Sequence, residues 1–215
     1  MSLFGKLFTS VSEQAQHRRD ELGFQLVGCL SGIIKEGPSV TALKKLAQTV
    51  DPEVGQPILD IEVFIFHKFL VVQACAGRFP QNVVNSAVDA FCSSLQLVLS
   101  QNIEGHLDAL EGIRSLVRTD RSSLDALEKL WVIRARQYDE PFASDLDEYL
   151  QNSPGHMPWK RLLVSFMSNF GEVSGSLHDV LSSTPGTVQA CVSVSISFGV
   201  VLPEVGKVIR AYYEI

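Results

Sequence analysis

Apolar positions along the chain recur at helical spacing. Val84, Val88, Phe91, Leu95 and Val98 form one row, and Leu162, Phe166, Phe170, Val173, Leu177 and Val180 form another. Steps of three and four residues place such side chains on one face of a helix with 3.6 residues per turn. Breakers and cap residues fall between the rows: EGPS at 36–39, DP at 51–52, FP at 79–80, TDRSS at 119–123, DEP at 139–141, NSPGHMP at 152–158 and STPG at 183–186. These signals predict helices near 10–35, 39–49, 54–78, 80–102, 105–118, 123–138, 142–151, 158–182 and 187–213, the last broken at Pro203. No Gly-rich or Pro-rich linker divides them, so the expectation is all-α: one multi-helix bundle domain over 1–215. A near-repeat, LDALEGI at 107–113 and LDALEKL at 124–130, hints at two similar antiparallel helices but is too short a series for a solenoid.

The segment 58–79, ILDIEVFIFHKFLVVQACAGRF, departs from the one-faced pattern. IEVFIF alternates like a strand, yet the run continues without a turn residue past the usual strand length, which favours a helix. Its large apolar groups then surround the axis, as in a helix at the centre of a bundle or in a subunit interface. Asp60, Glu62, His67 and Lys68 interrupt this oily surface. Asp60 and His67, seven residues apart, share a face but lie ~10 Å apart along the axis, too far to bond each other. A buried polar group needs a partner whatever its purpose. The simpler reading gives each one a partner on a neighbouring helix or access to solvent; the alternative is a ligand site around Asp60, Phe64 and His67.

Between Val180 and Pro203 the only titratable side chain is Cys191, and there is no formal charge. The continuous part, VQACVSVSISFGVVL, carries three serines and a glutamine and is shorter than the ~20 apolar residues of a membrane span. A buried helix is expected over 187–202, with a strand as the alternative because VSVSIS alternates. Two G-x-x-x-G pairs, Gly28/Gly32 and Gly171/Gly175, and the row Ser86, Ala90, Ser94 suggest close helix packing. At the N-terminus Leu3, Phe4, Leu7, Phe8 and Val11 form an apolar side with Lys6 as its one positive charge. Without the basic face of a membrane-surface helix, residues 1–9 read as a docking segment, with Leu3, Phe4, Leu7 and Phe8 as candidate interface residues.

Composition narrows the function classes. With 46% hydrophobic and 20% charged residues the chain has the profile of a packed globular protein. A net charge of −6 repels phosphate backbones, which argues against nucleic acid. The basic residues from Arg114 to Arg136 are interrupted by Asp120, Asp125 and Glu128, and read as a solvated face. Cys29, Cys75, Cys92 and Cys191 lack C-x-x-C spacing and read as small hydrophobes in a reducing compartment, and no signal peptide is apparent, so the cytoplasm is expected. None of the five histidines has the E-x-x-H or H-E-x-x-H partners of a helical metal site. GCLSG at 28–32 is not G-x-S-x-G, and GVVLPEVGK at 199–207 has the wrong spacing for a P-loop. The expectation is therefore a non-enzymatic interaction module that binds a protein partner or itself as a homodimer, with no catalytic residues, metal or cofactor. A sensor or carrier that binds a small apolar ligand between helices is the first alternative, and an enzyme whose site is assembled from distant segments the second.

Overall fold

The computed structural model describes residues 3–101, 121–151, 159–173 and 186–214, without the side chains of 3–12, 36, 121 and 122. Seven helices and no strands occur among these residues: α1 (Leu3–Glu36), α2 (Pro38–Val50), α3 (Gln56–Ala76), α4 (Gln81–Gln101), α5 (Arg121–Gln151), α6 (Lys160–Met167) and α7 (Thr187–Tyr213). The protein is an all-α multi-helix bundle. The 105–118 helix, and with it the first copy of the near-repeat, lies outside the described residues, as do 174–182 and Gly175. Leu3, Phe4, Leu7 and Phe8 fall in the first turns of α1, where the described features stop at the backbone.

α3 is the axis of the bundle. It packs against α1, α2, α4, α5 and α7, and six consecutive residues, Glu62 to His67, are buried. Six residues at 100° per residue cover the whole circumference, as the all-round apolar sequence predicts. Phe66 and Phe69 tie α3 to α5 and α6 through edge-on rings: Phe66 meets Tyr138 at 5.6 Å and Phe166 at 5.2 Å, and Phe69 meets Phe142 at 5.5 Å. Each such pair adds about 0.5–1.5 kcal/mol beyond the area it buries. Pro38 and Pro57 sit in first turns, where a missing N–H has no partner to lose.

Two glycines set the packing on α1. Gly37 is the only residue between α1 and α2; its N–H bonds the Ile33 carbonyl at 2.7 Å, and a Cβ there would collide with the same oxygen. Gly23 lies at the α1–α4 crossing, where a Cβ would overlap Ser94 Oγ and the Ala90 carbonyl. The small residues of α4 thus serve close packing, but against Gly23. Gly32 has open space where its Cβ would be, and Gly171 follows α6 outside any helix. The α1 pair thus makes no close helix contact at Gly32, whereas a Cβ at Gly171 would meet Val50 Cγ1 of α2 at 3.1 Å, and its partner Gly175 lies outside the described residues.

Both internal prolines fail to break their helices. Pro141 lies within α5 and Pro203 within α7. Proline removes an N–H and crowds the carbonyl four residues earlier, freeing that oxygen. For Pro141 the freed oxygen is that of Gln137, and Ser165 Oγ donates to it at 3.2 Å. For Pro203 it belongs to Gly199, which is exposed together with the proline, so water is at hand. The predicted breaks at 139–141 and 203 are therefore absent, and α7 carries VSVSIS as helix rather than strand. The predicted 158–182 helix is shorter: after Met167 the chain tightens into turns, with Asn169 N–H on Phe166 O at 3.1 Å and Phe170 N–H on Met167 O at 3.0 Å.

Candidate functional site

The polar residues of α3 go to different neighbours. Asp60, half-buried, accepts from Lys44 Nζ on α2 at 2.5 Å and from Gln56 Nε2 at 2.8 Å. His67 is fully buried. Its Nδ1 lies 2.7 Å from the Val63 carbonyl and its Nε2 lies 2.6 Å from Ser39 Oγ on α2. A carbonyl can only accept, so Nδ1 carries the proton and Nε2 accepts from Ser39. Ser197 Oγ on α7 donates to Ser39 Oγ at 2.8 Å and completes a chain across three helices. Burial pulls the imidazole pKa down to about 4, outweighing the opposing bond to Val63, and keeps the ring neutral. Phe64 lines a small cleft of about 240 Å³ between α3, α4 and α5, and neither Asp60 nor His67 reaches it. The three candidate ligand residues thus face three surroundings. Lys68 lines that same cleft, its ammonium 4.2 Å from the centre of the Trp131 ring, and burial lowers its pKa.

A second network was not legible as a unit in the sequence. Glu62, 4% exposed, receives Arg134 from α5 in a forked pair, Nη2 to Oε1 at 2.7 Å and Nε to Oε2 at 3.0 Å. Asn169 Nδ2 donates to Glu62 Oε2 at 3.1 Å and to Tyr138 Oη at 2.7 Å. Gln137 accepts from Arg134 and donates to Asn169 Oδ1 at 2.9 Å. Burial drives the Tyr138 hydroxyl well above its ordinary pKa, so it stays protonated. Arg134 belongs to the basic run read as a solvated face; it turns inward because Glu62, held in the core, needs a counter-charge. The one available signal was Glu62 itself, a carboxylate in an oily helix. Asn169, in the turn after α6, had none.

Asp145 on α5, 3% exposed, accepts the Leu162 N–H in the first turn of α6 at 2.9 Å and meets Arg161 Nη1 at 3.2 Å. It caps a helix whose own N-cap position holds Trp159, a residue without a capping oxygen. Burial raises the Asp145 pKa, and the bonds from α6 oppose that rise. The four cysteines are free; burial pushes Cys75 up to about 12 and Cys29 and Cys191 up to about 11, which keeps those thiols protonated at neutral pH. Among the described residues no group of three or more His, Cys, Asp or Glu is placed to hold a metal ion.

Large apolar side chains are exposed at Ile58 on α3, at Val132, Ile133, Tyr149 and Leu150 on α5, and as a regular row along α7. Val188, Val192, Ile196 and Val200 are each about half exposed, at 55%, 48%, 51% and 57%. Their four-residue spacing makes them one ridge, ~18 Å long and drifting about 40° per step around the helix. A cleft of about 900 Å³ borders one flank, where Ser195, Gly199 and Leu202 face Phe142, Leu146 and Trp159. A cleft of about 660 Å³ borders the other, where Val200, Val201 and Glu204 face Gly28, Cys29 and Gly32 of α1. The G-x-x-x-G pair of α1 thus leaves a groove. α4 and the 27-residue α7 are long and apolar enough to cross a membrane by length and composition; because α7 runs on through Pro203, it exceeds the length expected from its continuous apolar stretch. No protein-family model, curated protein or solved structure matches the chain.

Proposed function

We propose that the protein is a non-enzymatic interaction module of the cytoplasm that associates with a second copy of itself through α7. The observation that carries this reading is the exposed ridge Val188, Val192, Ile196 and Val200. Residues four apart form the ridge that interdigitates in the commonest helix–helix packing class, and here a groove lined by Gly28 and Gly32 lies beside it. Ridge and groove on one surface are what an isologous two-fold contact requires, since each copy offers both. Charge leaves this face open to a copy: a chain of net charge −6 repels its copies as a whole, but residues 187–203 carry no formal charge and add no local repulsion. Four half-exposed side chains cover less than the ~800 Å² per partner of a standard interface, so the groove walls must contribute and the affinity is expected to be micromolar. The four free cysteines fit a reducing compartment.

Sedimentation equilibrium of the wild type and of Ile196→Asp tests this. The wild type should dimerise with a dissociation constant of ~1–50 μM, and the variant should remain monomeric with an unchanged melting temperature. A wild type that stays monomeric at ten times that concentration defeats the reading. Flotation of the wild type with neutral phospholipid vesicles, lost in Ile196→Asp, would assign the ridge to a membrane instead.

A further inference from the structure

The cleft of about 900 Å³ on the other flank of α7 is independent of the ridge and has both charged and apolar lining residues. Its volume falls within the range of small-molecule sites, ~300–1,000 Å³. Its charged lining includes Arg78, just beyond α3, and Glu140 on α5, and neither has a partner among the described residues. Asp139, which precedes Glu140 and also lines the cleft, accepts from Gln73 Nε2 at 3.0 Å. From there α5 runs ~12 Å between residues 142 and 150 and contributes Phe142, Ala143, Leu146 and Leu150 to an apolar trough. The floor is an aromatic stack, Phe142 on Trp159 at 5.2 Å with Phe198 edge-on to Trp159 at 5.1 Å.

Trp159 supplies an independent sign of use. It is 3% exposed, its backbone is left-handed at φ 72°, and its indole N–H has no acceptor among the described residues. Left-handed backbone in a bulky residue and an unpaired buried donor are each unfavourable, and such departures concentrate where a protein binds something.

We propose that this cleft binds a single-chain zwitterionic amphiphile, with a phosphate on Arg78, an ammonium on Glu140 and Asp139, and an acyl chain along the trough. A guanidinium and two carboxylates lining one cleft match a head carrying both charges better than an anion or a cation alone, since either would meet one like charge. The trough is lined on one side by a single helix face and suits one chain of medium length.

Isothermal titration with lauroyl lysophosphatidylcholine below its micelle concentration tests the proposal, against laurate and dodecyltrimethylammonium as probes with comparable tails and one charge each. The zwitterion should bind with a micromolar dissociation constant and about fivefold or more tighter than either comparator, the scale of two exposed ion pairs. Arg78→Gln and Glu140→Gln should each reduce that preference without moving the melting temperature, and Ala143→Phe, which fills the trough, should abolish binding of all three. The proposal is overturned by no binding of the zwitterion, by tighter binding of either comparator, or by equal binding of all three that both rim variants leave unchanged, which is detergent adsorption only.

Discussion

α3 and α7 are the two most apolar helices described, and they handle that character in opposite ways. α3 carries charged and ionisable side chains, yet Glu62 and His67 are buried and each is paired. α7 has no formal charge before Glu204, yet it leaves a row of β-branched residues in water. Burial here follows position in the bundle: α3 has neighbours on all sides, while α7 has them on one. Polar groups at the centre serve to specify which helices meet, since each bond names its partner, whereas apolar groups at the edge remain available for something else.

The sharpest way to break this contrast is to strand a charge in the centre. Arg134→Ala leaves the Glu62 carboxylate with only Asn169, and removing one member of a buried pair costs about 3–5 kcal/mol. A urea midpoint unchanged from wild type would mean that Glu62 reaches solvent and that α3 is less central than it looks.

His67→Ala should cost about 2–4 kcal/mol, combining a cavity with the loss of a partner for Ser39. The same residue predicts a pH dependence. Its folded pKa of about 4 lies below its ordinary 6.5, so the unfolded chain binds the extra proton between those values. Stability is then full above pH 6.5 and falls as the pH drops toward 4, by about 3 kcal/mol from this group. Chemical denaturation across that window should show the decline in wild type and a flatter profile in His67→Ala.

Gly23→Ala should cost about 1–3 kcal/mol, because the added methyl meets backbone at the α1–α4 crossing. Gly199→Ala, with open space on the exposed face of α7, should instead raise stability by up to about 1 kcal/mol through helix propensity. Thermal melts of the two variants compare a closed face with an open one directly.

The smallest effect belongs to the ridge. Val192→Lys should shift the urea midpoint by no more than about 0.5 kcal/mol equivalent, as expected for an exposed site. A loss of several kcal/mol would place Val192 in a core.

Much of this fold was legible where one rule dominates. α2, α3 and α4 begin and end within a few residues of the periodic segments because caps, prolines and apolar rows agree there. The breaks at Pro141 and Pro203 were misread because a proline's effect depends on who satisfies the freed carbonyl; Ser165, which does so for Gln137, lies 28 residues away. The site was legible only in part. Asp60 and His67 stood out as polar groups needing partners, but the identity of those partners, Lys44 and Ser39, and the pairing of Glu62 with Arg134 depend on how distant helices cross. The α7 ridge was hidden for the opposite reason: an all-apolar segment does not say which of its sides will be covered.

The cap that Asp145 places on α6 has a consequence for the order in which the molecule opens. Eight residues are too few for a helix to persist in water by itself, and the donor at Leu162 is held by a side chain of α5 rather than by a local residue. α6 therefore has no independent existence: any fluctuation that lifts it from α5 also removes its cap. In native-state hydrogen exchange the amides of α6 and of the adjoining turns of α5 should open together, as one cooperative unit, while the exposed turns of α7 exchange ahead of them.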